Sequence, residues 1–449
     1  MEAALIQLIF GLVLLSILLS AINNGLLSPT FLFYGFLLIG IWFRSLQLTS
    51  NVGETIVLAP WVLADELYIS TVYALIDILL CVCIIYTVSF VISKTKFILH
   101  HSSFVSLFRI KILSRGQVYF LAVIGCIMFA IFLFMLSNSF GGVSNAIKIL
   151  LSRQAQQMSG YGYVLMLTDI TIITSIIIAF NYFIRKHYGL GLHGNHRIVF
   201  YVMLMICLLM LIFLGGRGWL LQYILILTII YYSSIGKRVR INGIVILFSI
   251  LIVFVVTVGY SIRYSAQNKI TFQESLPIVT ENIGATLSSP FALIDHYILA
   301  KKYTDIHGYD YGIQYAEYLV RPIPRGFWPD KPEQVAIRMR YEFWGEKMGG
   351  IPPTVFGEFY MSFGYIGLII GSIFLGVILG LLERIYQRIY SEPEISVVYA
   401  IMVAFIVFSV TRSGLDISFV KIVSYLSFLI IFKMMLMIRV FRNKDLIEG

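Results

Sequence analysis

Apolar residues in this chain neither alternate with polar ones nor keep to one stripe of a helix. They come in runs of about 20 residues, the length a helix needs to cross a hydrocarbon core roughly 30 Å thick. About eleven such runs are present, at 4–22, 28–44, 67–92, 118–137, 162–184, 198–214, 218–235, 243–262, 363–382, 395–411 and 417–438. The pattern predicts an all-α polytopic membrane protein with about 11 transmembrane helices. One long segment, 263–360, interrupts it and holds Pro277, Pro290, Pro322, Pro324, Pro329, Pro332, Pro352 and Pro353, eight of the chain's 11 prolines. The chain therefore reads as about eight transmembrane helices over 1–262, a large helical loop over 263–360 and about three further transmembrane helices over 361–449. Inside the loop, Ser289-Pro290 reads as the N-cap and first-turn proline of a helix running through about Lys302. Its Phe291, Leu293, Ile294, Tyr297 and Ile298 suit a helix lying on the membrane or capping a cavity.

Composition removes the soluble alternative. Of 449 residues, 59% are hydrophobic and 12% charged, and the mean hydropathy is +0.89. Soluble domains carry about 25% charged residues. The net charge of +10 would point to nucleic acid in a soluble protein. Here much of the surplus sits in short loops beside apolar runs, so no nucleic-acid partner is expected. One set of alternate loops holds Lys94, Lys96, Arg109, Lys111, Arg115, Arg185, Lys186, Arg197, Lys237, Arg238, Arg240, Arg384 and Arg388, and the tail adds Lys433, Arg439, Arg442 and Lys444. The short loops of the other set hold Arg44, Lys148, Arg153, Arg217 and Arg412. The positive-inside bias assigns the first set and the C-terminus to the cytoplasm, and eleven spans then put the N-terminus and the long loop outside. The leading Met-Glu-Ala-Ala lacks the positive n-region of a cleaved signal peptide. All four cysteines lie in apolar runs, with Cys81 and Cys83 on different sides of a helix, so no disulfide framework is expected. His193 and His196 stand in a polar, basic loop and do not make a metal site.

Arginines collect on the outer side. Arg217 lies in Gly215-Gly216-Arg217-Gly218, a turn between two spans; Arg263 follows the eighth span; Arg321 and Arg325 flank a proline-stiffened stretch. Arg412 occupies the last outer turn, Thr411-Arg412-Ser413-Gly414-Leu415-Asp416. Each can snorkel to headgroups or pair with a carboxylate. Together they can also form one anion site, because guanidinium groups hold phosphate bidentately and stay charged. The prolines of Arg321-Pro322-Ile323-Pro324-Arg325-Gly326-Phe327-Trp328-Pro329-Asp330-Lys331-Pro332 fix the directions of Arg325, Trp328 and Lys331. Trp328 either anchors at the interface or stacks on a sugar ring. Glu358, at the mouth of the ninth span, and Asp416 are the candidate bases, with a salt bridge as the competing reading of each. For Asp416 that bridge would be an i, i+4 pair with Arg412. Tyr311, Tyr315, Tyr318, Tyr341 and Tyr360 offer stacking faces and hydroxyls suited to carbohydrate. Asp169, within the fifth span, is a buried charge in need of a partner.

Two of these stretches carry a resemblance. Pro322 to Pro332, and Pro353-Thr354-Val355-Phe356-Gly357-Glu358-Phe359-Tyr360-Met361-Ser362-Phe363-Gly364-Tyr365-Ile366-Gly367, look like the signature of Wzy-type oligosaccharide repeat-unit polymerases, the bacterial O-antigen polymerases. The Gly215–Gly218 turn and the Arg412–Asp416 segment resemble two further arginine-bearing positions of that group. The layout of apolar runs is similar across most of the chain. The resemblance implies a GT-C-like membrane fold at the inner membrane and a metal-independent glycosyltransferase with no cofactor. Its substrate would be an undecaprenyl-diphosphate-linked oligosaccharide at the periplasmic face, and its usual partner a chain-length-regulating polysaccharide co-polymerase. Arg217, Arg263, Arg325 and Arg412 would then hold the diphosphate, supported by Arg321 and Lys331, with Trp328 and Tyr360 toward sugar. An O-antigen ligase and, from another class, a polysaccharide flippase are the alternatives.

Overall fold

The computed structural model describes residues 2–49, 64–95, 109–146, 162–190, 194–214, 217–237, 261, 264–265, 270–281, 292–321, 323, 327–328, 330–345 and 350–437. Among them helix is the only regular secondary structure. In chain order the helices are α1 (Glu2–Ile22), α2 (Pro29–Thr49, with a π-helical stretch at Leu38–Phe43), α3 (Ala64–Lys94), α4 (Arg115–Phe140), α5 (Gly162–Tyr188), α6 (Gly194–Phe213) and α7 (Arg217–Ser234). Then come α8 (Phe272–Glu281), α9 (Leu293–His307), α10 (Ile313–Val320), α11 (Val335–Trp344) and α12 (Thr354–Arg388). The chain ends in α13 (Ser396–Val403), which runs through a π-helical stretch, Ala404–Ser409, into a last turn, Val410–Ser413, and in α14 (Leu415–Met437).

Eight helices among the described residues are long and apolar enough to span a bilayer, and two shorter apolar helices, Gly218–Ser234 and Pro393–Val407, coincide with further runs. The run at 243–262 lies outside the described residues apart from Ser261. The chain is a polytopic membrane protein, all-helical among its described residues. Its outer surface shows why water is the wrong solvent: Leu5, Leu8, Leu12, Leu15 and Leu19 on α1, and Ile366, Ile370 and Phe374 on α12, are all exposed. Apolar faces of that extent are stable only against lipid.

Local signals set the helix ends. Ser28 caps α2 with Pro29 in its first turn, and a Ser114–Gln117 capping box opens α4, which Gly141 closes in the left-handed region. α5 is the most enclosed span, with 83% of its apolar window buried between α4, α6, α7 and α14. The broadest helix contact joins α12 to α3. Gly376 and Gly380 of α12 make it possible: a Cβ on Gly376 would come within 3.0 Å of the Ile85 carbonyl, and one on Gly380 within 2.8 Å of that of Ser89. Small residues four apart let helices meet where lipid provides no hydrophobic drive.

The two ends of the bundle differ. At one end Arg109 pairs with Glu392, Arg185 donates to the Leu113 carbonyl, Gln117 to that of Leu436 and Arg384 to Thr95. These residues belong to, or adjoin, the Lys/Arg-rich loop set. The other end holds α9 to α11 and the starts of α12 and α14.

α9 departs from expectation. It begins at Leu293, with Ala292 as its N-cap residue, and continues to His307, past Lys302; Ser289 and Pro290 lie outside the described residues. Nor does it lie on a surface, since Leu293, Ile294, Tyr297 and Ile298 are buried against α12, α3 and the π-helical stretch of α2. Polar residues on the same helix explain the correction. Asp295 accepts from Arg44 of α2 at 2.8 Å, and Lys301 donates to Asp77 of α3 at 2.7 Å, an oxygen that Tyr297 also reaches. Two ion pairs thus clamp α9 into the bundle, a geometry its apolar spacing alone does not encode. α12 likewise starts at Thr354, nine residues before the expected span, and bends at Phe363 (φ −145°) and Gly364 (φ 61°).

Candidate functional site

The site is assembled where α13 ends and α14 begins. Gly414, at φ 84°, takes a left-handed conformation that breaks the helix between Ser413 and Leu415. The break exposes the first amides of α14, and Glu358, from the first half of α12, fills the gap. Its Oε2 accepts the Leu415 N–H at 2.7 Å. A Cβ on residue 414 would collide with this carboxylate, so glycine is needed there for space as well as for conformation. A buried carboxylate at a helix N-terminus meets both unsatisfied amides and the positive end of the dipole. Glu358 is in effect a cap supplied from another helix.

α10 packs over this junction and supplies further hydrogen bonds. Gln314 donates to the Glu358 carbonyl at 2.8 Å and to Ser362 at 2.6 Å. Arg321 Nε stands 3.4 Å from Asp416 Oδ1. Its other nitrogens reach Glu317 at 3.4 Å and donate to the carbonyls of Pro332 at 2.7 Å and Glu333 at 3.3 Å. Arg338 of α11 meets Glu317 at 2.8 Å. Lys331 folds back and donates to the carbonyls of Arg321 and Ile323, at 2.9 and 2.6 Å. Arg321, Lys331 and Arg338 thus stand against Glu317 and Asp416, with the Glu358 carboxyl beside Asp416. Burial pushes the carboxyls of Glu317 and Asp416 above the usual range, while Arg321 and Arg338 act the other way on both. Four buried atoms of this cluster (Arg321 Nε, Arg338 Nε, Asp416 Oδ1 and Gln314 Oε1) complete no hydrogen bond. At Arg321 and Asp416 opposite charges meet without a finished hydrogen bond. A polar group entering between them would satisfy both atoms.

Of the residues predicted from sequence, Glu358, Asp416, Arg321 and Lys331 are brought together. Arg321 and Lys331 are already engaged by carbonyls and carboxylates of the chain itself. Arg412 is half-buried in the last turn before Gly414. The helical i, i+4 relation expected between Arg412 and Asp416 does not exist, because the helix is broken between them. Arg217 is the first residue of α7; its side chain, together with Arg263 and Arg325, lies outside the described residues. Trp328 is 40% and Phe327 86% exposed. Tyr360 is buried among Tyr297, Tyr309 and Tyr365, under the Lys301 ammonium at 5.0 Å. Asp169 finds its partner in Lys421 of α14, at 2.7 and 2.9 Å, with Ser424 at 3.2 Å and the Trp219 ring against the ammonium.

The sequence reading missed Glu317, Gln314 and Arg338. Glu317 had a local signal, its i, i+4 spacing to Arg321. Arg338 had none, because the turn that returns α11 to α10 has no counterpart in spacing. It also missed His296 of α9, which burial and the positive charges of Arg412 and Arg44 hold down at about 4. A histidine kept neutral in the fold but protonated on unfolding removes stability as pH falls from about 6.5 toward 4. His296→Gln should flatten this part of the profile, read as the thermal midpoint in detergent between pH 7 and 4.5. Asp295, pushed up to about 6 by burial against the opposing pull of Arg44, acts in the opposite direction, which the comparison of variant with parent cancels. Identical profiles for the two proteins would contradict the buried neutral imidazole. Comparisons with known proteins give no match, whether to a family model, a curated protein or a solved structure.

Proposed function

We propose that the chain is an O-antigen polymerase of the Wzy type, an inner-membrane glycosyltransferase with eleven spans in a GT-C-like arrangement. Its N-terminus and active site face the periplasm and its C-terminus the cytoplasm. It moves the growing polysaccharide from undecaprenyl diphosphate onto the next lipid-linked repeat unit, beside a co-polymerase that sets chain length. One observation carries the reading. Segments on which the resemblance rests, 353–367 and 412–416, are distant in the chain and meet at one end of the bundle through the Glu358–Leu415 contact, and Arg321, which adjoins the 322–332 stretch, meets Asp416 there.

In the reaction an acceptor hydroxyl attacks the anomeric carbon, the bond from that carbon to the diphosphate oxygen breaks, and the hydroxyl proton passes to a base. Negative charge builds on the departing lipid diphosphate. Arg217, Arg263, Arg325 and Arg412 would stabilise it as fixed cations in a water-poor site, with no metal required. The ion-pair cluster would support them: Arg321 and Lys331 add positive charge beside Asp416, and the Glu358 cap holds the turn that carries Arg412. Asp416, whose Oδ1 completes no hydrogen bond, is better placed to take the proton than Glu358, which is occupied by the α14 amides.

Purified protein incubated with a synthetic undecaprenyl-diphosphate repeat unit should give a ladder of lengthened products. Arg325→Lys keeps the charge but loses the two-pronged contact, and should slow the reaction about 10²-fold or more. Full-length ladders at the parental rate would contradict the bidentate role. In cells, loss of the chain should leave a single repeat unit attached to lipopolysaccharide; complete loss of attached sugar would favour the ligase. Chain lengthening in detergent, with no second compartment, excludes transport as the essential activity.

A further inference from the structure

Beside the bend of α12 lies a group of aromatic rings that the proposed chemistry does not use. Tyr309 and Tyr311, in the turn after α9, and Phe363 and Tyr365, at the bend, are 41%, 72%, 45% and 53% exposed. Their rings meet edge to face, Tyr309 with Tyr311 and Tyr311 with Phe363 at 6.4 Å, and the set continues inward through Tyr360. The backbone that presents them is held firmly. Asp310 and Tyr311 donate to the carbonyls of Met361 and Ser362, at 3.0 and 3.1 Å, and Asp310 accepts from Gly312 at 2.9 Å. Tyr311 itself is left-handed, at φ 51°, a conformation unfavourable for any residue with a Cβ. The fold thus spends strain on a ring that buries little.

We infer that this aromatic platform is a glycan-binding subsite, which takes the neutral, C–H-rich faces of pyranose rings from the repeat unit. The inference rests on the polymerase reading for its ligand class and goes beyond it in naming the surface. Two observations favour sugar over a membrane anchor. An anchoring tyrosine needs only to reach the headgroups, whereas Tyr311 is carried on a left-handed backbone held by a hydrogen bond to Ser362 and sets its ring edge to face with Tyr309 and Phe363. The charge beside the platform also disfavours anionic lipid: Asp305 is exposed at the end of α9 and acts on Tyr360, while the ammonium against the inner rings, Lys301, is already bound to Asp77. Carboxylates accept from sugar hydroxyls, and aromatic faces cover the apolar side of the ring.

The test measures binding without turnover. The probe is the oligosaccharide released by mild acid from the lipid-linked intermediates of a host strain lacking this chain, titrated onto purified protein and followed by saturation-transfer NMR. Wild type should saturate sugar ring protons, and Tyr311→Ala should weaken binding roughly five- to tenfold while Tyr311→Phe retains it. Tyr311→Gly keeps the left-handed backbone and removes the ring, so it should match Tyr311→Ala. No transfer to the oligosaccharide with wild type, or unchanged binding by Tyr311→Ala and Tyr311→Gly, overturns the platform. Binding that persists where no chain lengthening occurs would refute the polymerase reading and leave the platform standing. Lengthening without this binding would do the reverse.

Discussion

Arg321→Met is expected to destabilise the protein by about 3–5 kcal/mol, the range for removing one partner of a buried ion pair. Methionine preserves the bulk and much of the flexible stem, so the loss comes from what the guanidinium leaves behind. Asp416 is left buried without its opposing charge, and the Pro332 and Glu333 carbonyls lose their donor. Glu317 suffers less because Arg338 remains at 2.8 Å. Unfolding in a graded anionic detergent reads the effect. A second substitution separates the causes: Asp416→Leu in the Arg321→Met background should recover part of the loss, since no charge is then stranded. The pH dependence should change in the same direction. Burial already raises the Asp416 carboxyl, and without Arg321 it rises further, so the folded state binds a proton that the unfolded state releases. The deficit of Arg321→Met should therefore shrink as the solution is acidified. A loss below about 1 kcal/mol would place the pair among contacts of the surface kind.

Gly414→Ala is expected to cost about 3–4 kcal/mol from two sources that can be measured apart. A left-handed backbone with a Cβ costs roughly 1–2 kcal/mol. The added methyl also occupies the place of the Glu358 carboxyl and displaces it from the Leu415 amide, and a buried donor left without its partner costs about 1–3 kcal/mol. In a Glu358→Ala background the second source is already absent, so the same substitution should cost only the strain. Equal costs in both backgrounds would mean that the methyl and the carboxylate never compete. The turn carries Arg412, and a displacement near 1 Å can cost about 10²-fold in rate. Product ladders from Gly414→Ala should accordingly fall far more than its residual fold would imply.

Long apolar runs were legible because a bilayer allows few answers: the backbone must satisfy itself, so each run becomes a helix. The ends were less so. Ser289-Pro290, read as a helix start, lies outside the described residues, and α9 opens at Leu293. Its buried face includes Asp295 and Lys301, whose partners Arg44 and Asp77 come from helices more than 200 residues away in sequence. The site was legible as a set of stretches and illegible as a set of pairs. Asp416 beside Arg412 reads as an i, i+4 bridge until one knows that Gly414 breaks the helix between them. Glu358 reads as a base or a salt bridge, and no spacing rule says that it closes the end of another helix. The partner of Asp169 is 252 residues away on α14. Hydropathy predicts which residues avoid water, but not which charged groups will share a cavity once they have.

The bend at Phe363 and Gly364 leaves a single helix answerable to two different surroundings. On one side of it, Gly376 and Gly380 lock α12 to α3 among lipid-facing residues; on the other, Glu358 closes α14. A straight rod would transmit any tilt imposed by bilayer thickness directly to that carboxylate. Here the bend parts the two halves, so a change of tilt in the lipid-facing half can be taken up at Phe363 and Gly364 before it reaches Glu358.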